Sequence, residues 1–304
     1  MIVSKVDRSA CGTYVNKTDN GEGMERVVIA GATGYLGRYL VLEFKRRGIA
    51  VRAIVRPGKT VEGADEIVEA EVTQAGSLIG VCDGADAVFS ALGITRQTDK
   101  VTYEDVEYTA NKQLLDEALR SGVQHFGVIS VVNPAAFSGL SITTSRERFV
   151  AELQAASIVS SVVRSTGFFC DMKEVFDMAA KGRVWLIGDG RTQANPIHGA
   201  DLATVCVDAM LGQVAELAVG GPDTMTWNGI AQVAFEALER RPRVTHVPAW
   251  LPRLLLPFVG FFNRRAYDVG SFIVRGSTLN TVAPASGGES LRSFYEELAL
   301  AHSS

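Results

Sequence analysis

The stretch VVIAGATGYLGRYL, residues 27–40, decides the fold. Four apolar residues run into Gly31, and Gly34 and Gly37 follow as a helical pattern begins. In a G-x-x-G-x-x-G loop the first glycine permits a tight turn. The second lets the backbone approach a pyrophosphate, and the third lets the new helix pack closely on the strand. Free N–H groups at the helix start, with the helix dipole, favour the phosphate's negative charge. A glycine triplet alone is weak. Here a β-branched strand precedes it and an amphipathic helix follows, which is the context a dinucleotide site requires.

Outward from that loop, short apolar runs alternate with helical patterns. Residues 26–30, 51–55, 66–71, 87–92, 125–130 and 160–164 read as strands, and 35–47, 75–82, 103–120 and 145–156 as helices. Strands separated by helices of this length imply right-handed crossovers and a parallel sheet. The expected fold is α/β: a doubly wound parallel Rossmann sheet with a smaller C-terminal substrate lobe. Residues 1–23 form a flexible polar tail, 24–165 the nucleotide-binding core, and 166–304 mainly the substrate lobe, with parts returning to the core. In the lobe, residues 185–210 read as strand, glycine turn, strand and a helix capped near Asp201, and 226–242 as an amphipathic helix. Ligands of open α/β sheets bind at the carboxyl edge, so the cleft between core and lobe is the expected site.

Composition narrows the classes. A chain of 304 residues buries about three quarters of its unfolded surface and needs no staples. Its net charge of −4 argues against a nucleic-acid scaffold. Cys11, Cys82, Cys170 and Cys206 are scattered without metal-ligand spacing, which reads as a reduced, cytoplasmic chain with no metal site. The tail lacks the apolar core of a signal peptide. The longest apolar run, PAWLPRLLLPFVGFF at 248–262, is broken by Pro252, Arg253 and Pro257. It is too short for the ~20 residues of a membrane span. It reads as a core or pocket-lining helix, with peripheral membrane contact or a lipid-like substrate as the alternative.

The second strand selects the cofactor. An acid at its end would accept from a ribose 2′-hydroxyl and select NAD. Here VRAIVRPGK, residues 51–59, offers Arg56 with Lys59 beside it and no acid. A guanidinium fork suits a 2′-phosphate, so NADP(H) is expected and NAD(H) less so.

The set GATGYLG, VRAIVR, GADAVFSALG, GVQHFGVISV, SSVVRSTGFF and NPIHGADLA resembles the atypical short-chain dehydrogenases of the NmrA-like group, over residues 25–300. The segments RERFVAEL, IGDGRTQANPI and GGPDTMTW look most like the divinyl chlorophyllide reductase branch. The resemblance implies cofactor contacts at Gly31, Thr33, Gly34, Tyr35, Leu36, Gly37 and Arg56. It places Ala91, Leu92 and Gly93 under the adenine ribose and pyrophosphate. Ser130 and Val131 fall at the nicotinamide edge, and Thr166, Gly167 and Phe168 in the turn covering the carboxamide. The usual Arg-Pro before that turn is Arg164-Ser165 here.

One expected feature is missing. Most short-chain dehydrogenases use Tyr-x-x-x-Lys, in which the lysine and the cofactor lower the tyrosine's pKa for proton transfer. This chain has no tyrosine between Tyr108 and Tyr267 and no lysine between Lys112 and Lys173. In TTSRERFVAEL the lysine's place is assigned to Arg148, which can orient substrate or stabilise an oxyanion but shuttles protons poorly. Its alternative is a surface pairing with Glu152 one turn on. Ser130 is the other catalytic candidate, as a hydrogen-bond donor to a carbonyl. His198 reads as a structural residue and Asp171 as a helix-start carboxylate.

The leading expectation is an NADPH-dependent reductase of a hydrophobic small molecule. The alternative is a non-catalytic NADP-binding sensor or assembly factor, with a sugar-nucleotide epimerase behind both because it would need the tyrosine.

Overall fold

The structure is a computed structural model that describes residues 23–93 and 101–303. Of the expected tail at 1–23, residues 1–22 lie outside the described residues. Seven strands make a parallel sheet: β1 (Arg26–Ala30), β2 (Ala50–Val55), β3 (Glu66–Glu69), β4 (Ala87–Ser90), β5 (His125–Val131), β6 (Val159–Ser165) and β9 (Glu216–Val219), in the order β3-β2-β1-β4-β5-β6-β9. The order reverses between β1 and β4, which creates a crevice at the carboxyl edge. Apolar runs fit this sheet because helices cover both of its faces. On one face, α1 (Tyr35–Arg46) and α5 (Gly199–Leu211) close a core that includes Ile29, Leu40, Phe44 and Leu202. On the other, α2 (Asn111–Arg120) and α3 (Ser141–Ala155) pack with Val28, Leu114, Phe126 and Phe149. Thus α5 and β9, late in sequence, belong to the core.

The C-terminal lobe has its own core. Here α4 (Phe169–Ala180), α6 (Trp227–Ala237) and α9 (Leu291–Ser303) gather Phe169, Phe176, Ile230, Phe235 and Tyr295. β7 (Val184–Ile187) pairs in parallel with β11 (Val244–Val247), and β8 (Gln193–Ala194) pairs antiparallel with β10 (Met225–Thr226). A helical hairpin, α7 (Trp250–Phe262) and α8 (Arg264–Thr278), completes the lobe.

Four local expectations are corrected. Residues 75–82 form only a 3-10 turn, Ala75–Leu78, because Gly80 takes a left-handed φ of 82° that ends the helix. The helix expected over 103–120 opens as a π-helical stretch, Glu104–Ala110, before α2. Helix α5 starts at Gly199 with His198 at its N-cap, so Asp201 does not cap it. Instead the Asp201 carboxylate accepts the backbone N–H groups of Gly288 and Glu289, tying down the segment before α9. Finally, α7 is not a core helix: none of its residues is buried.

Candidate functional site

Each glycine of the first loop does a different job. Gly31 has φ +78°, and a Cβ there would lie 2.8 Å from the carbonyl carbon and oxygen of Ala91. The β1 turn and the end of β4 therefore touch backbone to backbone. A Cβ on Gly37 would strike the Gly31 carbonyl oxygen and sit 2.8 Å from the Ala32 Cα, so this glycine seats α1 on β1. Gly34 differs. Its backbone is ordinary (φ −72°, ψ 173°), and a Cβ there would meet only the Gly31 oxygen, 3.1 Å away. Its neighbourhood is open. No side chain caps the start of α1 and no acid stands in its first turn, so the first-turn N–H groups and the positive dipole end face that opening. This cradle fits a dinucleotide pyrophosphate.

The remaining predicted cofactor residues lie along the same edge. Ala91, Leu92 and Gly93 follow β4, with Ala91 N–H bonded to Ala30 O at 2.9 Å. Ser130 and Val131 end β5 opposite Arg164 and Ser165 of β6. Thr166 is buried and donates to Asn195 O at 2.6 Å, while Gly167 O accepts from Ile197 N at 2.9 Å. Phe168 leads into α4, and Asp171 accepts its N–H at 3.3 Å, as a helix-start carboxylate. Thr33 and Leu36 complete the loop, with Leu36 turned into the core. Tyr35 gives its side chain to structure: its hydroxyl oxygen accepts the Gly199 N–H at 3.0 Å, and burial pushes its pKa up. Arg56 follows β2 at the opposite end of the row from Thr166, exposed and without a carboxylate partner among the described residues. His198 is structural, ringed by Tyr35, Tyr39 and Phe169.

The two catalytic candidates are already engaged. Ser130 donates its hydroxyl proton to Glu147 at 2.7 Å, and Glu147 is held by Arg164 at 2.9 Å. Arg148 points outward from α3. It binds Glu104 at 2.8 Å, lies 3.6 Å over the Tyr108 ring and reaches within 3.9 Å of Glu152.

The arginine that turns inward from α3 is Arg146, whereas Arg148, the residue assigned to the lysine's place, faces outward. Two residues along a helix rotate a side chain by about 200°, so only one of the pair can face the sheet. Arg146 donates to Leu92 O and Ile129 O, both at 2.7 Å, and forms an ion pair with Glu107. It is 8% exposed and Glu107 1%. The guanidinium thus bridges the segments after β4 and at the end of β5. The helical period could have found it: Arg146 lies three, four and seven residues before Phe149, Val150 and Leu153, the buried face of α3.

Asn111, also unforeseen, ties down the π turn. Its amide donates to the carbonyls of Val106 (3.0 Å) and Glu107 (3.1 Å), and it accepts from the Ser90 hydroxyl. The π stretch carrying Glu107 is thereby pinned to the end of β4. Burial and the nearby Asp171 push the Cys170 thiol up to about 12, which disfavours the thiolate. Among the described residues no cluster of metal-ligating side chains occurs.

A family model described as NAD(P)H-binding matches residues 31–211, from the first loop glycine to the end of α5. The chain belongs to the NAD(P)H-binding family. Its cofactor is a nicotinamide dinucleotide, NADP(H) included. The chain is 28% identical over 319 residues to the chloroplastic divinyl chlorophyllide a 8-vinyl-reductase of Oryza sativa subsp. indica, covering 90% of this chain and 78% of that protein. The counterpart in Arabidopsis thaliana is 28% identical over 255 residues, and the match spans 60% of its length. A photosystem II assembly factor of Trieres chinensis is 23% identical, over 78% of this chain and 76% of the factor. Among solved structures, the NADPH-dependent quinone oxidoreductase of Escherichia coli complexed with NADPH superposes with a TM-score of 0.69 at 15% identity. That match covers 90% of this NAD(P)H-binding chain and 99% of the oxidoreductase, and it shows a common fold.

Proposed function

We propose that the protein is an NADPH-dependent reductase that reduces a carbonyl or a conjugated C=C of a hydrophobic small molecule. Bound NADPH supplies the hydride. The observation that carries this reading is Arg146, a permanently charged fork fixed by two backbone carbonyls and a buried carboxylate beside residues 91–93 and 130–131. It holds the segments assigned to the cofactor in register; its charge is balanced by Glu107 and it releases no proton. Helix α3 carries no tyrosine and no lysine, and the Ser130 proton is directed to Glu147. A conjugated acceptor suits such a site, because its proton can come later from water. The 8-vinyl-reductases among the relatives support this reading.

The test is NADPH consumption by the full chain with hydrophobic conjugated acceptors, a divinyl chlorophyllide first. Turnover with saturation in both partners is expected. Tight NADPH binding without consumption for any acceptor favours the second reading, a non-catalytic NADP-dependent sensor or assembly factor. That reading draws on the same internal pairing of Ser130 and Arg148 and on the assembly factor among the relatives.

Cofactor choice is assigned to Arg56. A hydrogen bond to a charged group contributes roughly 1.5–3 kcal/mol, which is on the order of 10- to 150-fold in affinity. Lys59 adds a point charge. Arg56→Ala is therefore expected to weaken NADPH by one to two decades and leave NADH nearly unchanged, as read by fluorescence titration. Equal losses for both cofactors, or a wild type preferring NADH, would overturn the assignment.

A further inference from the structure

The α7–α8 hairpin is built to bury one narrow ridge and leave the rest of α7 bare. Contact runs through Leu256 and Gly260. A Cβ on Gly260 would sit 3.1 Å from the Tyr267 ring, and Gly270 of α8 lies directly against the Leu256 side chain. The two helices approach closely on these glycines. Pro252 is half-buried on the same ridge, and the rest of α7 faces outward: Trp250 is 63% exposed, Leu254 57%, Phe258 68%, Phe261 85% and Phe262 87%. A helix apolar all round is normally buried, and a contiguous apolar patch of this kind marks an interaction surface.

Charge identifies what covers it. Arg253 stands within α7, and Arg264 and Arg265 follow Phe262 after the single residue Asn263 at the hairpin tip. From Arg240 to Tyr267 the chain carries six arginines and no aspartate or glutamate, although the whole chain is acidic at −4. Asp268, just beyond this stretch, lies 3.5 Å from Arg264, which still leaves the arginines in excess; aromatic side chains beside such a positive excess complement the headgroup layer of an anionic bilayer. A second copy of the same hairpin would set arginine against arginine. With 13 residues, α7 cannot cross the membrane, and among the described residues no helix is long and apolar enough to do so. It can lie in the interface with its apolar side down.

We infer that the α7–α8 hairpin docks the protein on anionic lipid bilayers, with Phe261 and Phe262 inserted and Arg253, Arg264 and Arg265 at headgroup level. The hairpin is joined to the working edge of the sheet. Arg275 of α8 donates to Ser138 O at 2.7 Å, and Phe272 lies 5.0 Å from Phe137, in the segment after β5. Docking therefore brings the carboxyl edge close to the bilayer. The inference stands on the hairpin alone and does not depend on the reductase reading.

The test is flotation of the full chain with phosphatidylcholine vesicles, with and without phosphatidylglycerol, at low and high salt. Binding to the anionic vesicles that weakens with salt is expected, because exposed charge is screened over about a Debye length. Removing an inserted phenylalanine costs on the order of ten-fold in partitioning, so a Phe261→Ser, Phe262→Ser variant is expected to lose vesicle binding almost entirely. Both side chains are exposed, so NADPH affinity and melting temperature should stay as in wild type. No flotation of the wild type, or flotation of the variant equal to it, would overturn the inference. So would a wild-type dimer that floats with neither vesicle and becomes monomeric in the variant, which would assign the surface to self-association.

Discussion

Gly34→Val is expected to fold like the wild type and to lose NADPH binding by at least about 100-fold, as several charge-assisted hydrogen bonds of roughly 1.5–3 kcal/mol each are lost together. Gly34 has a φ of −72°, an ordinary value for valine, and an added Cβ meets only the Gly31 oxygen at 3.1 Å, a tight contact that a shift of a few tenths of an ångström must relieve. The rest of the valine side chain projects into the opening in front of the first-turn N–H groups, where the pyrophosphate has to lie. Gly37→Ala is the contrasting variant. Its Cβ would strike the Gly31 carbonyl oxygen and crowd the Ala32 Cα, so this change is expected to unseat α1 and lower stability outright. Thermal melting and NADPH titration of the pair separate the two roles. A folded Gly34→Val protein with undiminished affinity would refute the placement of the pyrophosphate.

Arg146→Ala is expected to cause the largest loss of stability of any single substitution near the site. It takes the guanidinium away from the buried Glu107 carboxylate, 1% exposed, and it strips the carbonyls of Leu92 and Ile129 of these donors. Breaking a buried pair on one side costs about 3–5 kcal/mol. For a chain of this size that lowers the melting temperature by on the order of 10 °C. The double variant Arg146→Met, Glu107→Gln removes both charges and should recover most of that stability, a coupling that a double-mutant cycle measures. It should still reduce turnover, because the segments after β4 and at the end of β5 lose the fork that sets their spacing. Recovery of both stability and turnover in the double variant would reduce Arg146 to a packing device.

The sequence was most legible where the backbone is buried and regular. β1 was readable to the residue at Arg26–Ala30, and the parallel sheet followed from the alternation of strands and helices, because parallel strands covered on both faces are continuously apolar; the order of the strands comes from the structure. The glycine loop was legible because each glycine answers a separate steric demand. Legibility ended where an outcome depends on a partner far away in the chain. Gly76 and Gly80 sat inside a helical pattern that only a left-handed turn at Gly80 reveals as a 3-10 turn. Arg146 and Arg148 share one motif, and the face of α3 separates them: apolar spacing to Phe149 and Leu153 favours Arg146, whereas family spacing favoured Arg148. Asp201 looks like a helix cap until the segment at Gly288 arrives to claim it. The run at 248–262 shows its apolar character in sequence but not its exposure, since exposure depends on which other element fails to cover it.

The central claim is that this dinucleotide cradle serves hydride transfer to a hydrophobic acceptor. Incubating the full chain with NADPH deuterated at the nicotinamide C4 and a divinyl chlorophyllide, and reading the product by mass spectrometry, tests it most directly. The account predicts one deuterium per reduced molecule, delivered from a single C4 face. Bound but unconsumed cofactor, or reduced product without deuterium, would contradict it.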